Sequence, residues 1–298
     1  MSFIYKYPHP SVTTDCVILT FHEDRIKILL IKRGIEPYKG YWARPGGFLR
    51  MDESAEEGAL RELREETGVT GCVIKQFHTF TAPDRDPRER VITIAFYALM
   101  KWQQATGADD AELADWVPLD NLPQLAFDHA EIIKMAIQAI KRDIFFEPVG
   151  FELLNDTFSM TELQRVYELI LGREFDRRNF AKKMKHLDIL EEVEKDLDSS
   201  PGKTYPLPFL NSDFNRRESS RDEASKNLVS NEEDFVGHPT QFGLMMADFS
   251  SEEPADLASI FPETKHSEPD QKSRRRNLLF RLNRKKYDKL KDDHTLEF

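Results

Sequence analysis

The hydrophobic pattern divides the chain into segments of different period. Val12 to Phe21 and Ile26 to Ile31 are apolar, β-branched runs separated by the turn-like His22-Glu23-Asp24-Arg25, which predicts a β-hairpin. Gly34 to Gly46 is punctuated by Pro37, Gly40 and Pro45 and reads as loop. From Ser54 to Thr67 the period becomes helical: Ser54 with Glu57 three residues on forms a capping box, and Gly68 supplies a stop. Cys72 to Thr81 and Val91 to Leu99 are predicted strands joined by the polar loop 82–90, and Ala130 to Arg142 is an amphipathic helix. This mixture of strands and helices predicts an α/β fold for the first half.

After Pro148 and Gly150 the pattern becomes helical. Ser159 and Glu162 form a second capping box ahead of Leu163, Val166, Tyr167, Ile170 and Leu171, and Gly172 ends that helix. Asp176 can cap the next helix, Arg177 to His186, and a short apolar strand follows at Ile189 to Val193. Two helices joined by a tight turn and followed by a strand predict a winged helix-turn-helix. Periodicity is lost between Asp198 and Lys272, where Pro, Ser, Asn, Asp and Glu dominate and disorder is expected. It returns at the apolar strand Asn277 to Asn283 and a short basic helix, Arg284 to Lys291.

Charge changes the picture in the second half. The net charge of −11 argues, by itself, against nucleic-acid binding. The segment 198–272, however, holds fifteen acidic residues against seven basic ones, whereas 273–291 holds nine basic residues, Arg275 and Arg276 among them, against one acidic. The acidic average therefore conceals a basic surface. In the helix from Arg177, Phe180, Met184 and Leu187 make an apolar stripe, leaving Arg177, Arg178, Asn179, Lys182, Lys183 and Lys185 for the outer face. Arg and Asn can read base edges in the major groove and Lys can hold phosphates. A basic solvated helix packed on the first domain is the alternative.

The two cysteines, Cys16 and Cys72, lie in apolar runs and are expected to be buried reduced thiols. The first residues lack a signal-peptide apolar core, and no run reaches the ~18 to 20 apolar residues of a membrane helix, so a cytoplasmic protein without a membrane partner is expected.

Candidate chemistry concentrates between Gly47 and Val69. Glu62, Glu65 and Glu66 fall at i, i+3 and i+4 and so share one helical face, where their mutual repulsion would be relieved by a hard cation. Gly46 and Gly47 permit a tight turn, and Arg61 can pair with Glu53 to fix the loop against the helix. Gly47, Glu53, Arg61, Glu62, Leu63, Glu65, Glu66, Gly68 and Val69 fill every defined position of the Nudix signature, and the chain is identified on them as a member of that family. The resemblance implies an α/β/α sandwich with a mixed sheet. It also implies Mg²⁺- or Mn²⁺-assisted hydrolysis of a nucleoside diphosphate linked to another group. By the same resemblance the metal ligands would be the Gly46 carbonyl, Glu65, Glu66 and Glu62, the last as ligand or as proton acceptor.

The segments Trp42 to Phe48 and Asp84 to Arg90 resemble the Nudix branch that handles ADP-ribose-like ligands. Arg85, Arg88 and Arg90 could clamp a phosphate there or be ordinary solvated loop charges. In Phe127-Asp128-His129, His129 could touch ligand and Asp128 could cap a helix. The segments 151–168 and 172–180 are similar to the DNA-binding half of Nudix-related transcriptional regulators, a likeness that covers 11–197 and resumes near Arg274. It implies a Nudix domain over 1–147 and a winged helix-turn-helix made of 148–197 and 273–298; the chain departs from the family in the segment 198–272, inserted into the wing either as a tolerated disordered loop or as an acidic competitor of DNA for the basic face. The implied partners are a nucleotide or sugar-derived small molecule, a double-stranded operator and a second copy of the chain. Two functions remain open: a ligand-responsive regulator whose undamaged signature keeps hydrolysis within reach, or a hydrolase whose second half is a docking or oligomerisation module. Ligand binding without turnover is a third.

Overall fold

The computed structural model describes residues 6–107, 111–144, 147–193 and 278–293. Strands β1 (Ser11–His22) and β2 (Arg25–Arg33) form the expected hairpin. Its two-residue turn has Glu23 at φ 54° and Asp24 at φ 60°, the left-handed pair whose twist matches that of the flanking strands. The loop predicted over 34–46 contains a two-residue strand, β3 (Trp42–Ala43), and leads into β4 (Gly46–Phe48). Helix α1 (Ala55–Thr67) has the complete Ser54–Glu57 capping box and ends on left-handed Gly68 at φ 70°. Strand β5 (Lys75–Phe80) begins three residues later than the apolar run suggested, and β6 (Val91–Met100) follows. Strand β7 (Ala111–Pro118), whose mixed sequence carries no clean alternation, was not anticipated. Helix α2 (His129–Asp143) completes this part.

The sheet runs β3-β2-β1-β6-β5, with β4 also pairing β1 and β7 also pairing β2; β1 and β6 are parallel and the other pairings antiparallel. Both faces are covered, which explains near-continuous apolar strands. On β1 and β6, Cys16, Ile18, Phe96, Ala98 and Met100 pack with Ala59 and Leu63 of α1, while Val17, Leu19, Ala95, Tyr97 and Leu99 face the side of α2. The expected α/β/α sandwich with a mixed sheet is present.

The second face does not end with α2. A 3₁₀ turn (Val149–Leu153) brings Phe151 and Leu153 into the same apolar cluster as Ile132, Ile133, Ile137 and Ile140 of α2. Strand β8 (Phe158–Ser159) leads to α3 (Met160–Leu171), capped by Ser159–Glu162 and stopped by Gly172 at φ 71°. Helix α4 (Arg177–His186) is capped by the Asp176 carboxylate, which accepts from the Asn179 N–H at 2.9 Å. Tyr167, Phe180 and Met184, all buried, extend the cluster into the helical pair. Gly150 packs closely here, where a Cβ would lie 3.0 Å from the Tyr167 ring. Ion pairs Lys101–Asp156 and Arg165–Asp24 tie the helical part to the sheet.

Strand β9 (Leu190–Val193) pairs antiparallel with β10 (Leu279–Leu282), and β8 pairs with the other edge of β10, giving a three-stranded wing sheet. Val193 stands opposite Leu279, so the chain leaves this hairpin and re-enters it at the same point after a long sequence separation. Helix α5 (Arg284–Asp293) follows. The acidic segment 198–272 and the basic Arg275 and Arg276 lie outside the described residues. Among the described residues no helix is long and apolar enough to cross a membrane.

Candidate functional site

A cavity of about 450 Å³ opens between the N-terminal half of β1, the β4 turn, α1 and the Phe127–His129 corner. One wall is acidic. Glu62, Glu65 and Glu66 all line it, as the helical spacing required. Arg61 sits among them. It donates through Nε and Nη2 to Glu53 at 2.8 and 2.5 Å, through Nη1 to Glu62 at 2.7 Å and Glu65 at 3.0 Å, and through Nη2 to the Phe48 carbonyl at 3.3 Å. Glu53 also accepts from the Arg50 N–H at 2.8 Å, and the Arg61 fork holds its carboxyl down at about 2. Glu53 and Arg61 thus form the loop-to-helix clasp the sequence suggested.

Glu66 is different. It accepts from the Gly46 N–H at 2.9 Å, and burial pushes its carboxyl up to about 8, with the charges of Glu62 and Asp15 adding to the shift. The Gly46 carbonyl is expected as a metal ligand, and in the structure the amide of the same residue engages the Glu66 carboxylate. Gly46 does not tolerate a side chain, and at Gly47 a side chain would displace the Glu62 carboxyl. A Cβ at Gly46 (φ 152°) would lie 2.3 Å from the Thr14 carbonyl, and one at Gly47 would lie 2.5 Å from the Glu62 carboxyl.

A group whose folded-state pKa is raised binds a proton that the unfolded chain has released. Stability from Glu66 is therefore fully present below about pH 4.5 and declines as pH rises through about 8. We expect metal-free Glu66→Gln to be more stable than the parent at pH 9, by a few kcal/mol at most, and equal to it at pH 4. Thermal melts across that range would test this; parallel curves for the two proteins would refute it.

In kind, these hard carboxylate oxygens suit Mg²⁺ or Mn²⁺. Among the described residues, no three Asp, Glu, His or Cys side chains converge as ready ligands. The reason is visible in Arg61, whose Nη1 lies between Glu62 and Glu65 where a cation would draw them together. Holding a metal requires those two carboxylates to turn away from Arg61.

The rest of the lining is rich in cations: Arg85, Arg88 and His129 are candidates from the sequence, and Arg44 and Arg33 join them. Arg44 is fully buried and pairs through Nη2 with Asp15 at 2.5 Å, while burial raises the Asp15 carboxyl. The Arg44 N–H donates to His129 Nδ1 at 3.3 Å. The signal for Asp15 was present as an acid inside a strand otherwise apolar, and Arg44 stood in the loop segment Trp42 to Phe48. Phe127 adopts φ 49° and carries the Arg33 and Arg88 guanidinium groups at 5.0 and 5.5 Å from its ring centre.

The three loop arginines grouped by the sequence separate in space. Arg85 lines the cavity, but its fork is held by Asp128 through two 2.8 Å bonds, and Nη1 donates to the Thr93 hydroxyl. Asp128 consequently makes no side-chain cap on α2, a correction to that reading. Arg88 also lines the cavity, and it is bonded to Asp86 at 3.0 and 2.7 Å. Arg90 is not among the lining residues; it donates to the Ala82 carbonyl at 2.9 Å, so a phosphate clamp of all three is not formed.

The second candidate surface is α4. Phe180 and Met184 are buried, and Arg177, Arg178, Asn179 and Lys182 are exposed, while Lys183 is half-buried. Lys185 is exposed but paired with Glu192 at 2.9 Å.

Comparison with known proteins resolves the family. Residues 9–136 match the NUDIX domain and residues 150–205 match the NrtR DNA-binding winged helix domain. The chain is 31% identical to the ADPR responsive transcriptional repressor NtrR of Acinetobacter baylyi over 216 residues, 70% of this chain and 86% of the relative. The chain belongs to the NrtR-type family of Nudix regulators. A second NrtR-type structure, Shewanella oneidensis NrtR complexed with a 27mer DNA, is similar with a TM-score of 0.54 at 31% identity, covering 62% of this chain and 89% of that one. The Nudix part of the NrtR-type chain is also 45% identical over 128 residues to an ADP-ribose pyrophosphatase of Methanocaldococcus jannaschii, 43% of this chain and 73% of the relative.

Proposed function

We propose that this chain is a DNA-binding transcriptional repressor whose Nudix cavity binds ADP-ribose as effector, acting in the cytoplasm as a homodimer on a two-fold operator. One observation carries the reading. Helix α4 exposes Arg177, Arg178, Asn179 and Lys182, while its Phe180 and Met184 are buried in the apolar cluster that also backs the Nudix sheet. An isolated docking module would have no need of that arrangement of charge. The DNA-bound relative and the ADPR-responsive relative support it. The NrtR-type domains would be 1–147 and 148–197 with 273–298, and the basic Arg275 and Arg276 would add contacts to DNA. The expected result is that the full chain binds its own upstream DNA in a gel shift and that ADP-ribose weakens the complex. Indifference of the complex to ADP-ribose would remove the effector reading.

Hydrolysis is the second reading, favoured by the complete set of signature carboxylates lining one wall. Glu62, Glu65 and Glu66, with the Gly46 carbonyl, would hold Mg²⁺ or Mn²⁺, which when bound neutralises phosphate oxygens and acidifies a water. Arg61 would release Glu62 and Glu65 to the metal while its fork stays on Glu53. The expected result is metal-dependent release of AMP from ADP-ribose that falls at least about 100-fold in Glu65→Gln, as for loss of one charge-stabilising group. If wild type releases no AMP with either metal, the chain senses without turnover.

A further inference from the structure

We propose that Arg44 and His129 form a donor pair on the cavity floor that holds a diphosphate oxygen of the ligand without help from a metal, so that sensing and turnover draw on different side chains of one cavity. The inference rests on the effector reading above and specifies how that site holds its ligand.

The donors of the other cavity arginines are largely committed. Arg61 is spent on Glu53, Glu62 and Glu65, Arg85 on Asp128 and Thr93, and Arg88 on Asp86. Arg44 is not. Only its Nη2 reaches Asp15; Nε and Nη1 are buried and meet no acceptor among the described residues. Arg33, at the rim, likewise has a buried Nη2 without an acceptor. A guanidinium keeps all five N–H donors at any physiological pH, and a buried donor left unmade costs about 1 to 3 kcal/mol. Such a side chain lining an open cavity is arranged for something that enters.

His129 extends the floor. It is tied to Arg44 by the 3.3 Å bond from the Arg44 N–H to Nδ1. Because Nδ1 accepts, the proton of the neutral ring stands on Nε2. Burial, reinforced by Arg44, Arg33 and Arg85, holds the imidazole well below its ordinary range, so the ring stays in that single-donor form. The ring is fixed against Phe127 at 5.4 Å. Arg44 and His129 thus offer donors and no free acceptor. A phosphate oxygen, which accepts through several lone pairs and carries a charge opposite to that of Arg44, is matched to that set. The acidic wall cannot hold a phosphate directly, since its carboxylates would repel it.

The test is calorimetric titration of full-length protein with ADP-ribose, in EDTA and in Mg²⁺, for wild type, Arg44→Lys, His129→Phe and His129→Gln. Lysine keeps a charge against Asp15 but removes the free fork. Glutamine can accept from the Arg44 N–H and still donate, whereas phenylalanine does neither. The expected result is wild-type binding in EDTA, weakened about tenfold or more by Arg44→Lys and His129→Phe, with His129→Gln within about threefold of wild type. Gel shift on operator DNA checks that each variant is folded, and the His129 pair decides alone if Arg44→Lys fails it. Binding that needs Mg²⁺, or wild-type affinity in His129→Phe, overturns the proposal while leaving ADP-ribose as effector. No binding in either buffer overturns the effector reading and this floor with it.

Discussion

Replacing Arg177 and Arg178 together by alanine is expected to lower operator affinity about 100-fold or more while leaving ADP-ribose binding unchanged. Both side chains are exposed in the first turn of α4, where a recognition helix places its base-reading residues. A well-made arginine contact to a guanine edge or phosphate contributes about 1–3 kcal/mol, so losing two removes roughly two to four orders of magnitude at fixed salt. The helix itself should survive. Its cap is the Asp176 carboxylate, its anchors are Phe180 and Met184, and alanine is the better helix former. Fluorescence anisotropy across a salt series would separate the roles. If the two arginines contact phosphates, the salt slope drops by about one for each; if they read bases, specificity falls with the slope preserved. Affinity within threefold of wild type would mean that another surface meets the DNA.

The second large effect is expected at Phe180→Ala, with a loss of about 3–5 kcal/mol of stability. Phe180 is 1% exposed, packs at 5.7 Å from the Tyr167 ring and stacks on Phe175 at 5.6 Å. Its consequence should not stay within the helical part. The cluster that holds Phe180 runs through Tyr167, Phe151 and Ile137 to Val17 and Tyr97 of the sheet. An apolar core without a break favours a single cooperative transition. Calorimetry should therefore show one transition displaced as a whole in the mutant. Two resolved transitions, with only the lower one shifted, would show that the sheet and the helical pair unfold independently. The same continuity offers a route by which an occupied cavity is felt at α4, since His129 lines the cavity and opens α2, whose Ile133 and Ile137 belong to the cluster.

What could be read from the chain alone was local in origin. Capping boxes at Ser54 and Ser159, the stops at Gly68 and Gly172, the Glu23-Asp24 turn and the carboxylate face of α1 depend on residues within a few positions of each other, and sequence spacing determines them. The clasp between Glu53 and Arg61 was legible for the same reason, being eight residues long and bridged by one helix. The cationic floor was not legible. Asp15, Arg44, Arg85 and the Asp128-His129 pair come from four separate places along the chain, and the bonds among them form only when the sheet brings them together. Strand β7 escaped because its partner, β2, lies some eighty residues earlier, as Leu29 opposite Trp116 illustrates. The fate of the loop arginines was likewise decided in three dimensions: only when Asp128 and Asp86 arrive beside them do Arg85 and Arg88 find partners, and only then does Arg90 fall outside the cavity. The sequence determined by itself most of the elements and the carboxylate face of α1, through short-range geometry. The tertiary structure alone decided which buried donors remain unpaired, because pairing of buried charge depends on neighbours that the chain supplies from far away.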